Sequence, residues 1–80
     1  MKNLIVFKAS WCKTCGPMVN VIQGANLEIP ISTIDIDEDI ESTIQYTVRG
    51  VPTLLLMEDN QVVKRHSGSM TQKELLEFIK

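Results

Sequence analysis

Continuous apolar runs alternate with amphipathic segments along the chain, and each pattern predicts a different kind of element. The first run, Leu4–Phe7, has no polar residue and predicts a strand covered on both faces. After it, apolar residues recur at the spacing of one helix face: Met18, Val21, Ile22 and Ala25. This helix should end near Gly24–Asn26, because glycine and asparagine favour helix termini and Pro30 follows.

The middle of the chain repeats the strand-then-helix pattern on a smaller scale. Isoleucine and aspartate alternate over Ile34–Asp37, which predicts a second strand that ends near Asp37. Asp37 or Asp39 can then cap a short helix that carries Ile40 and Ile44 inward.

The last third of the chain predicts two more strands and a helix. Thr53–Met57 is a third buried strand, and Glu58–Gln61 is a hairpin turn in which Asn60 can adopt a left-handed conformation. Val62–Ser67 then returns antiparallel to the third strand.

The final helix has a well-marked start. Thr71 and Glu74 form a capping box, and Met70 can pack on Leu75 as a hydrophobic staple. Three apolar side chains should then face the sheet: Leu75, Phe78 and Ile79.

The element order β-α-β-α-β-β-α predicts an α/β fold. Strands joined by helices are expected to pair in parallel with right-handed crossovers, and the last two strands, joined by a tight turn, to pair antiparallel. The result is a four-stranded mixed sheet with helices on both faces. With 80 residues, the chain is expected to form one domain over residues 1–80.

Composition and charge exclude several classes of function. Apolar residues make up 44% of the chain and charged residues 22%, with a net charge of −2. No cluster of lysine and arginine is present, so we expect no nucleic-acid partner. No apolar run approaches the ~20 residues of a membrane span, and Leu4–Phe7 is too short for a signal-peptide core. We therefore expect a cytoplasmic protein with no membrane partner.

The only two cysteines, Cys12 and Cys15, are separated by two residues at the predicted strand-to-helix junction. A helix start favours negative charge, and Lys13 adds a positive one, so the thiol of Cys12 is a candidate nucleophile. Cys15 lies one turn further and can resolve a mixed disulfide on Cys12. Three other interpretations remain open: a zinc site that also uses His66, a structural disulfide and two unreactive thiols.

Two segments resemble the thioredoxin family: Ala9–Cys15 (ASWCKTC) and Arg49–Leu54 (RGVPTL). Pro52 follows Cys15 by 37 residues, and Gly68 with the final helix extends the similarity over nearly the whole chain. The resemblance implies a thioredoxin-like fold that lacks the N-terminal strand and helix of larger thioredoxins.

The resemblance also implies the roles of residues around the cysteines. It places a cis peptide bond at Val51–Pro52 beside Cys12, with the backbone of Val51 free to pair with an extended substrate. Trp11, Lys13 and Gly68 complete the implied substrate-binding surface.

The implied activity is the reduction of protein disulfides, with the Cys12–Cys15 disulfide as the only redox group and neither cofactor nor metal. The implied electron donor is an NADPH-linked thioredoxin reductase, and the protein is expected to act as a monomer. Two alternatives remain. One is a glutaredoxin-like enzyme that uses glutathione, and the other is a non-catalytic binding module with the same fold.

The chain departs from the thioredoxin pattern in two places. Lys13-Thr14 separates the cysteines, where thioredoxins typically have Gly-Pro, and Pro17 follows shortly after. Because Pro17 lacks an amide hydrogen, we predict a distorted first turn and regular helix only from about Pro17. Val6 occupies the position of a buried aspartate in thioredoxins, and Lys8 is a candidate electrostatic substitute for it.

Overall fold

Four strands form one mixed sheet in the computed structural model of the chain, which describes residues 1–80. The elements follow in this order: β1 (Lys2–Lys8), α1 (Cys15–Gly24), β2 (Ile31–Asp35), α2 (Ile40–Gln45), β3 (Thr53–Glu58), β4 (Gln61–Ser67) and α3 (Gln72–Phe78). The strands lie side by side as β2-β1-β3-β4. The predicted element order and the mixed sheet are confirmed. None of the helices combines the length and hydrophobicity that crossing a membrane requires.

The strand directions differ from the prediction at β3. β1 pairs in parallel with β2, as expected, but β3 pairs antiparallel with β1 as well as with β4. Helix α2 has six residues and is only about 9 Å long, too short to carry the chain back along the sheet. Thr53 therefore enters β3 opposite Phe7, at the edge of the sheet where β1 ends.

Apolar side chains cover both faces of the sheet. On one face, β1 and β3 pack against α1 and α3 through a single cluster: Leu4, Val6, Met18, Ile22, Leu54, Met70 and Leu75. Phe78 and Ile79 of the last turn of α3 pack against this cluster, as predicted. On the other face, the cluster Ile5, Phe7, Leu55 and Met57 packs against side chains of β2 and of the segment between β2 and β3: Ile34, Ile36, Tyr46, Val48 and Val51.

The prediction that α2 carries Ile40 and Ile44 inward is wrong. Their exposed fractions are 59% and 72%. Asp39 caps the start of the helix by accepting a hydrogen bond from the amide of Ser42 at 3.0 Å. At the other end of the helix, the C-cap residue Tyr46 packs edge-on against Phe7, with ring centroids 6.0 Å apart. The contact with Phe7 thus orients α2 against the sheet, whereas the Asp39 cap fixes where the helix begins.

The cap also affects the charge of its carboxylate. Donation from the backbone amide of Ser42, reinforced by its hydroxyl at 2.8 Å, holds the pKa of Asp39 below its ordinary value. This contribution to stability is present above the unfolded-state pKa and is lost as the pH falls through the lower folded-state pKa.

Strand β2 begins and ends earlier than predicted. It runs over Ile31–Asp35, and the alternation up to Asp37 continues into a turn. The carboxylate of Asp35 accepts the amide of Asp37 at 2.9 Å, and its carbonyl accepts the amide of Glu38 at 3.1 Å. Aspartate commonly turns the backbone in this way, so the residue pattern of a strand persists after the backbone has left the sheet.

The hairpin and the last helix follow the sequence closely. Asp59 and Asn60 both have positive φ, 52° and 68°, as a tight turn between antiparallel strands requires. The hydroxyl of Thr71 accepts the amide of Glu74 at 3.1 Å, and the carboxylate of Glu74 accepts the amide of Thr71 at 2.9 Å. The predicted capping box is confirmed, and the Thr71 amide holds the pKa of Glu74 below its ordinary value.

We expect Thr71→Ala to lower the free energy of unfolding by about 1 kcal/mol, because the amide of Glu74 loses its acceptor. Urea denaturation measures this change. Ser69→Ala is the matched control, since the Ser69 side chain is exposed and makes no hydrogen bond, and it should change stability by less than about 0.5 kcal/mol. Equal losses in the two variants would contradict a stabilising capping box.

Candidate active site

A disulfide joins Cys12 and Cys15 just beyond the end of β1, with their Cα atoms 5.5 Å apart. The amide of Cys12 donates to the carbonyl of Ala9 at 3.1 Å, which closes a turn after the strand. Cys12 is partly exposed, whereas Cys15 is only 3% exposed. The two bonded sulfurs therefore differ in their access to solvent.

Helix α1 begins earlier than predicted, at Cys15 rather than near Pro17. Its first backbone hydrogen bond runs from the amide of Met18 to the carbonyl of Thr14, at 3.1 Å. Pro17 is the third helical residue, where an amide hydrogen has no partner within the helix, so its absence breaks no bond. Gly16 has no Cβ to clash with the proline ring, so the usual restriction on helical backbone angles at the residue before proline is weaker here.

The helix start gives the disulfide its electrostatic setting. Cys15 is the first residue of α1, and Cys12 precedes the helix by three residues. Unpaired amides and the helix dipole make this end of the helix favourable for negative charge. Lys13 is exposed between the two cysteines. The setting is suited to holding a thiolate when the disulfide is reduced.

The cis peptide bond between Val51 and Pro52 lies at the same edge of the sheet as the end of β1. Pro52 is buried and Val51 partly buried. The amide of Gly68 donates to the carbonyl of Pro52 at 2.8 Å, which joins the turn before β3 to the loop after β4. The hydroxyl of Thr53 donates to the carbonyl of Gly50 at 2.6 Å and fixes the turn from the other side.

Trp11 lies on the surface beside the disulfide, with 64% of its area exposed. Its indole nitrogen donates to a carboxylate oxygen of Asp37 at 2.9 Å. The sequence predicted Asp37 only as the end of a strand or a helix cap, so this contact was missed. No local spacing signals it, since the two residues are 26 positions apart.

A second residue that the sequence analysis passed over is Thr14, whose hydroxyl oxygen lies 3.6 Å from the sulfur of Cys12. Thr14 is the N-cap residue of α1 but makes no side-chain cap hydrogen bond. One signal in the sequence could have found it. A threonine three positions before a proline cannot cap that residue's amide, because proline has none.

Behind the disulfide, a groove of about 450 Å³ is lined by both cysteines and, among others, by Lys8, Asn20 and Gln23. The ammonium of Lys8 lies 4.0 Å from a carboxylate oxygen of Asp35. Val6 is 1% exposed and pairs in register with Thr33 of β2, so the position that the resemblance associates with a buried aspartate is apolar. His66 lies on β4, where its ring packs edge-on to Phe78 at 6.3 Å.

The family model for thioredoxin matches residues 1–80. The chain belongs to the thioredoxin family. It is 35% identical over 79 residues to a thioredoxin of Chlamydia trachomatis, which covers 95% of this chain and 78% of the relative. It is 31% identical over 81 residues to a thioredoxin of Rhodospirillum rubrum, which covers 96% of this chain and 78% of that relative.

Solved thioredoxin structures have the same fold. A mutant thioredoxin from Halobacterium salinarum superposes with a TM-score of 0.92 at 31% identity, covering 98% of this chain and 71% of the other. Thioredoxin 1 from Thermosipho africanus superposes with a TM-score of 0.86 at 28% identity, covering 96% of this chain and 89% of the other. The family and the Cys12–Cys15 pair make the chain a thiol–disulfide oxidoreductase.

Two of the alternatives to a redox pair, a zinc site and a pair of unreactive free thiols, receive no support from the structure of this thioredoxin. Nowhere do three or more histidine, cysteine, aspartate or glutamate side chains form a group that could hold a metal ion. His66 is therefore not grouped with the cysteines as a third zinc ligand. Both cysteines are in the disulfide, and no free thiol remains.

We expect Gly68→Ala to lower the free energy of unfolding by about 1–2 kcal/mol, because the φ of Gly68 is +97°, a conformation that alanine disfavours. The matched control is Gly24→Ala at the end of α1, which should raise stability by about 0.5–1 kcal/mol through helix propensity. An added Cβ meets nothing within 4 Å at either position, so only backbone conformation separates the two variants. Urea denaturation of the oxidised proteins tests this, and changes of the same sign would contradict it.

Proposed function

We propose that this thioredoxin reduces protein disulfides with Cys12 as the nucleophile and Cys15 as the resolving residue. The difference in exposure between the two cysteines carries the proposal, since Cys12 is partly exposed and Cys15 only 3% exposed. A nucleophile must meet the sulfur of another protein, whereas a resolving thiol needs to reach only its neighbour.

The exchange transfers two electrons from the dithiol to the substrate. The Cys12 thiolate attacks one sulfur of the substrate disulfide, which forms a mixed disulfide and releases the other substrate sulfur as a thiolate. Cys15, once deprotonated, attacks the sulfur of Cys12, which re-forms the Cys12–Cys15 bond and releases the second substrate sulfur. The two protons of the dithiol end on the two substrate thiols.

The proposed substrate surface consists of Trp11, Lys13, Val51, Pro52 and Gly68. Two observations support it: the hydrogen bond that joins Gly68 to Pro52, and the exposed position of Trp11 beside the disulfide. The amide and carbonyl of Val51 make no hydrogen bond within the chain, so both are free to pair with an extended substrate segment, as in strand addition.

We also propose the setting in which this exchange operates. An NADPH-linked thioredoxin reductase recharges the protein, which acts in the cytoplasm as a monomer of one domain, residues 1–80, without a cofactor. The similarity to proteins described as thioredoxins supports this donor over glutathione. The Cys12–Cys15 disulfide carries the electrons between the reductase and the protein substrate.

The roles of the two cysteines are tested by insulin reduction with dithiothreitol as the electron donor. Cys12→Ser should abolish turnover, because no thiolate then meets the substrate. Cys15→Ser, reduced beforehand and mixed with insulin without dithiothreitol, should stop after the first attack and accumulate a mixed disulfide on Cys12, which mass spectrometry detects. If Cys15→Ser accumulates no adduct while Cys12→Ser does, the two roles are reversed.

The electron donor is tested by following the oxidation of NADPH with insulin as the substrate. We expect rapid turnover with thioredoxin reductase, and at least tenfold slower turnover when glutathione and glutathione reductase replace it. The Cys12→Ser/Cys15→Ser double variant is the control and should give no turnover with either donor. Faster recharging by glutathione would contradict the proposal and favour a glutaredoxin-like enzyme.

A further inference from the structure

Thr14 occupies a capping position but does not cap its helix. An N-cap threonine normally accepts a hydrogen bond from the amide two or three residues later. At the other two helices the cap is used, since Asp39 accepts the amide of Ser42 and Thr71 accepts the amide of Glu74. The corresponding residue in α1 is Pro17, which has no amide hydrogen, and the Thr14 hydroxyl makes no cap hydrogen bond.

The unused hydroxyl instead contacts the reactive disulfide. The oxygen of Thr14 lies 3.6 Å from the sulfur of Cys12, within hydrogen-bonding range for sulfur. In the disulfide the sulfur of Cys12 carries no hydrogen, so the hydroxyl is the only donor of the pair. A disulfide sulfur is a weak acceptor, whereas a thiolate carries a full negative charge and forms a much stronger, charge-assisted hydrogen bond.

We propose that the Thr14 hydroxyl is a catalytic group that donates a hydrogen bond to the Cys12 thiolate in the reduced protein. The inference rests on the proposed function of Cys12 as the nucleophile and adds a residue to its machinery. Because the bond is stronger in the dithiol form than in the disulfide, it favours ionised Cys12. It also shifts the balance between the two forms toward the reduced one.

The contribution of the hydroxyl can be separated from the other groups that favour a thiolate. The dipole of α1 and the charge of Lys13 are both retained when Thr14 is replaced by valine, which has nearly the same shape. No cap hydrogen bond is lost in Thr14→Val, because none is present. The variant therefore removes only the donor that faces Cys12.

The test is the pH dependence of alkylation of Cys12 by iodoacetamide in the reduced protein. Thr14→Val should raise the midpoint by about one pH unit, which lowers the rate roughly tenfold at a pH below both midpoints. Above both midpoints the variant and the wild type should react at about the same rate. Thr14→Ser keeps the hydroxyl and should restore the wild-type profile.

Thr71→Val is the matched control, because it removes a threonine hydroxyl that does cap a helix. It should lower the thermal stability of the oxidised protein and leave the alkylation profile unchanged. Thr14→Val should leave the thermal stability unchanged and raise the midpoint of alkylation. In a glutathione redox buffer, Thr14→Val should favour the disulfide form several-fold more than the wild type does.

An unchanged midpoint in Thr14→Val, or a raised midpoint in Thr14→Ser, would overturn the role of the hydroxyl. Mass spectrometry identifies the cysteine that is alkylated first. This identification distinguishes a failure of the Thr14 proposal from a failure of the proposed function. If Cys12 reacts first and Thr14→Val has no effect, only the role of Thr14 fails. If Cys15 reacts first, the proposed assignment of the nucleophile fails as well.

Discussion

The pairing of Phe7 with Thr53 is the constraint on which the geometry of the site depends. It sets β1 and β3 antiparallel, so that β1 ends at the edge of the sheet where β3 begins. The cysteine segment leaves that edge from β1, and the cis Val51–Pro52 turn enters it. Since Thr53 also pairs with Ser67, the loop at Gly68 reaches the same edge. Three segments that are distant in sequence meet there because these strands pair in this register.

Burial supplies the energy that holds this pairing in place. Leu4–Phe7 of β1 contribute side chains to both apolar clusters, and each is at most 9% exposed. A one-residue shift in register would exchange the two faces and move these side chains out of the clusters that they complete. The core therefore fixes the strand register that places the disulfide and the cis turn at the same end of the sheet.

Features set by neighbouring residues could be predicted from the sequence, and features set by the whole sheet could not. The capping box of Thr71 and Glu74 depends only on their spacing of three residues, and the cysteine pair likewise only on its spacing. The direction of β3 depends on how far α2 can carry the chain, which apolar spacing does not reveal. The apolar spacing of Ile40 and Ile44 predicted the wrong face of α2, because Tyr46 at the end of that helix packs on Phe7 of the sheet and leaves both isoleucines outside.

The start of α1 shows how a residue can lose a structural role and become available for chemistry. Proline at the third helical position costs no backbone hydrogen bond, so the helix forms normally. The same proline removes the amide that a threonine cap would ordinarily bind, which leaves the Thr14 hydroxyl facing Cys12. The Thr14–Pro17 pair thus links the first turn of the helix to the sulfur that we propose as the nucleophile.

The unequal exposure of the two sulfurs follows from the same turn. Cys12 belongs to the turn closed on Ala9 and stays partly exposed, while Cys15 opens α1, where side chains lean back toward the preceding turn and the core. An incoming disulfide therefore meets Cys12 first. In the proposed exchange, the buried thiol is held beside the mixed disulfide and attacks without a second encounter, which gives it a large advantage over external thiols. One helix start thus makes one sulfur accessible and keeps its partner close enough to release the product.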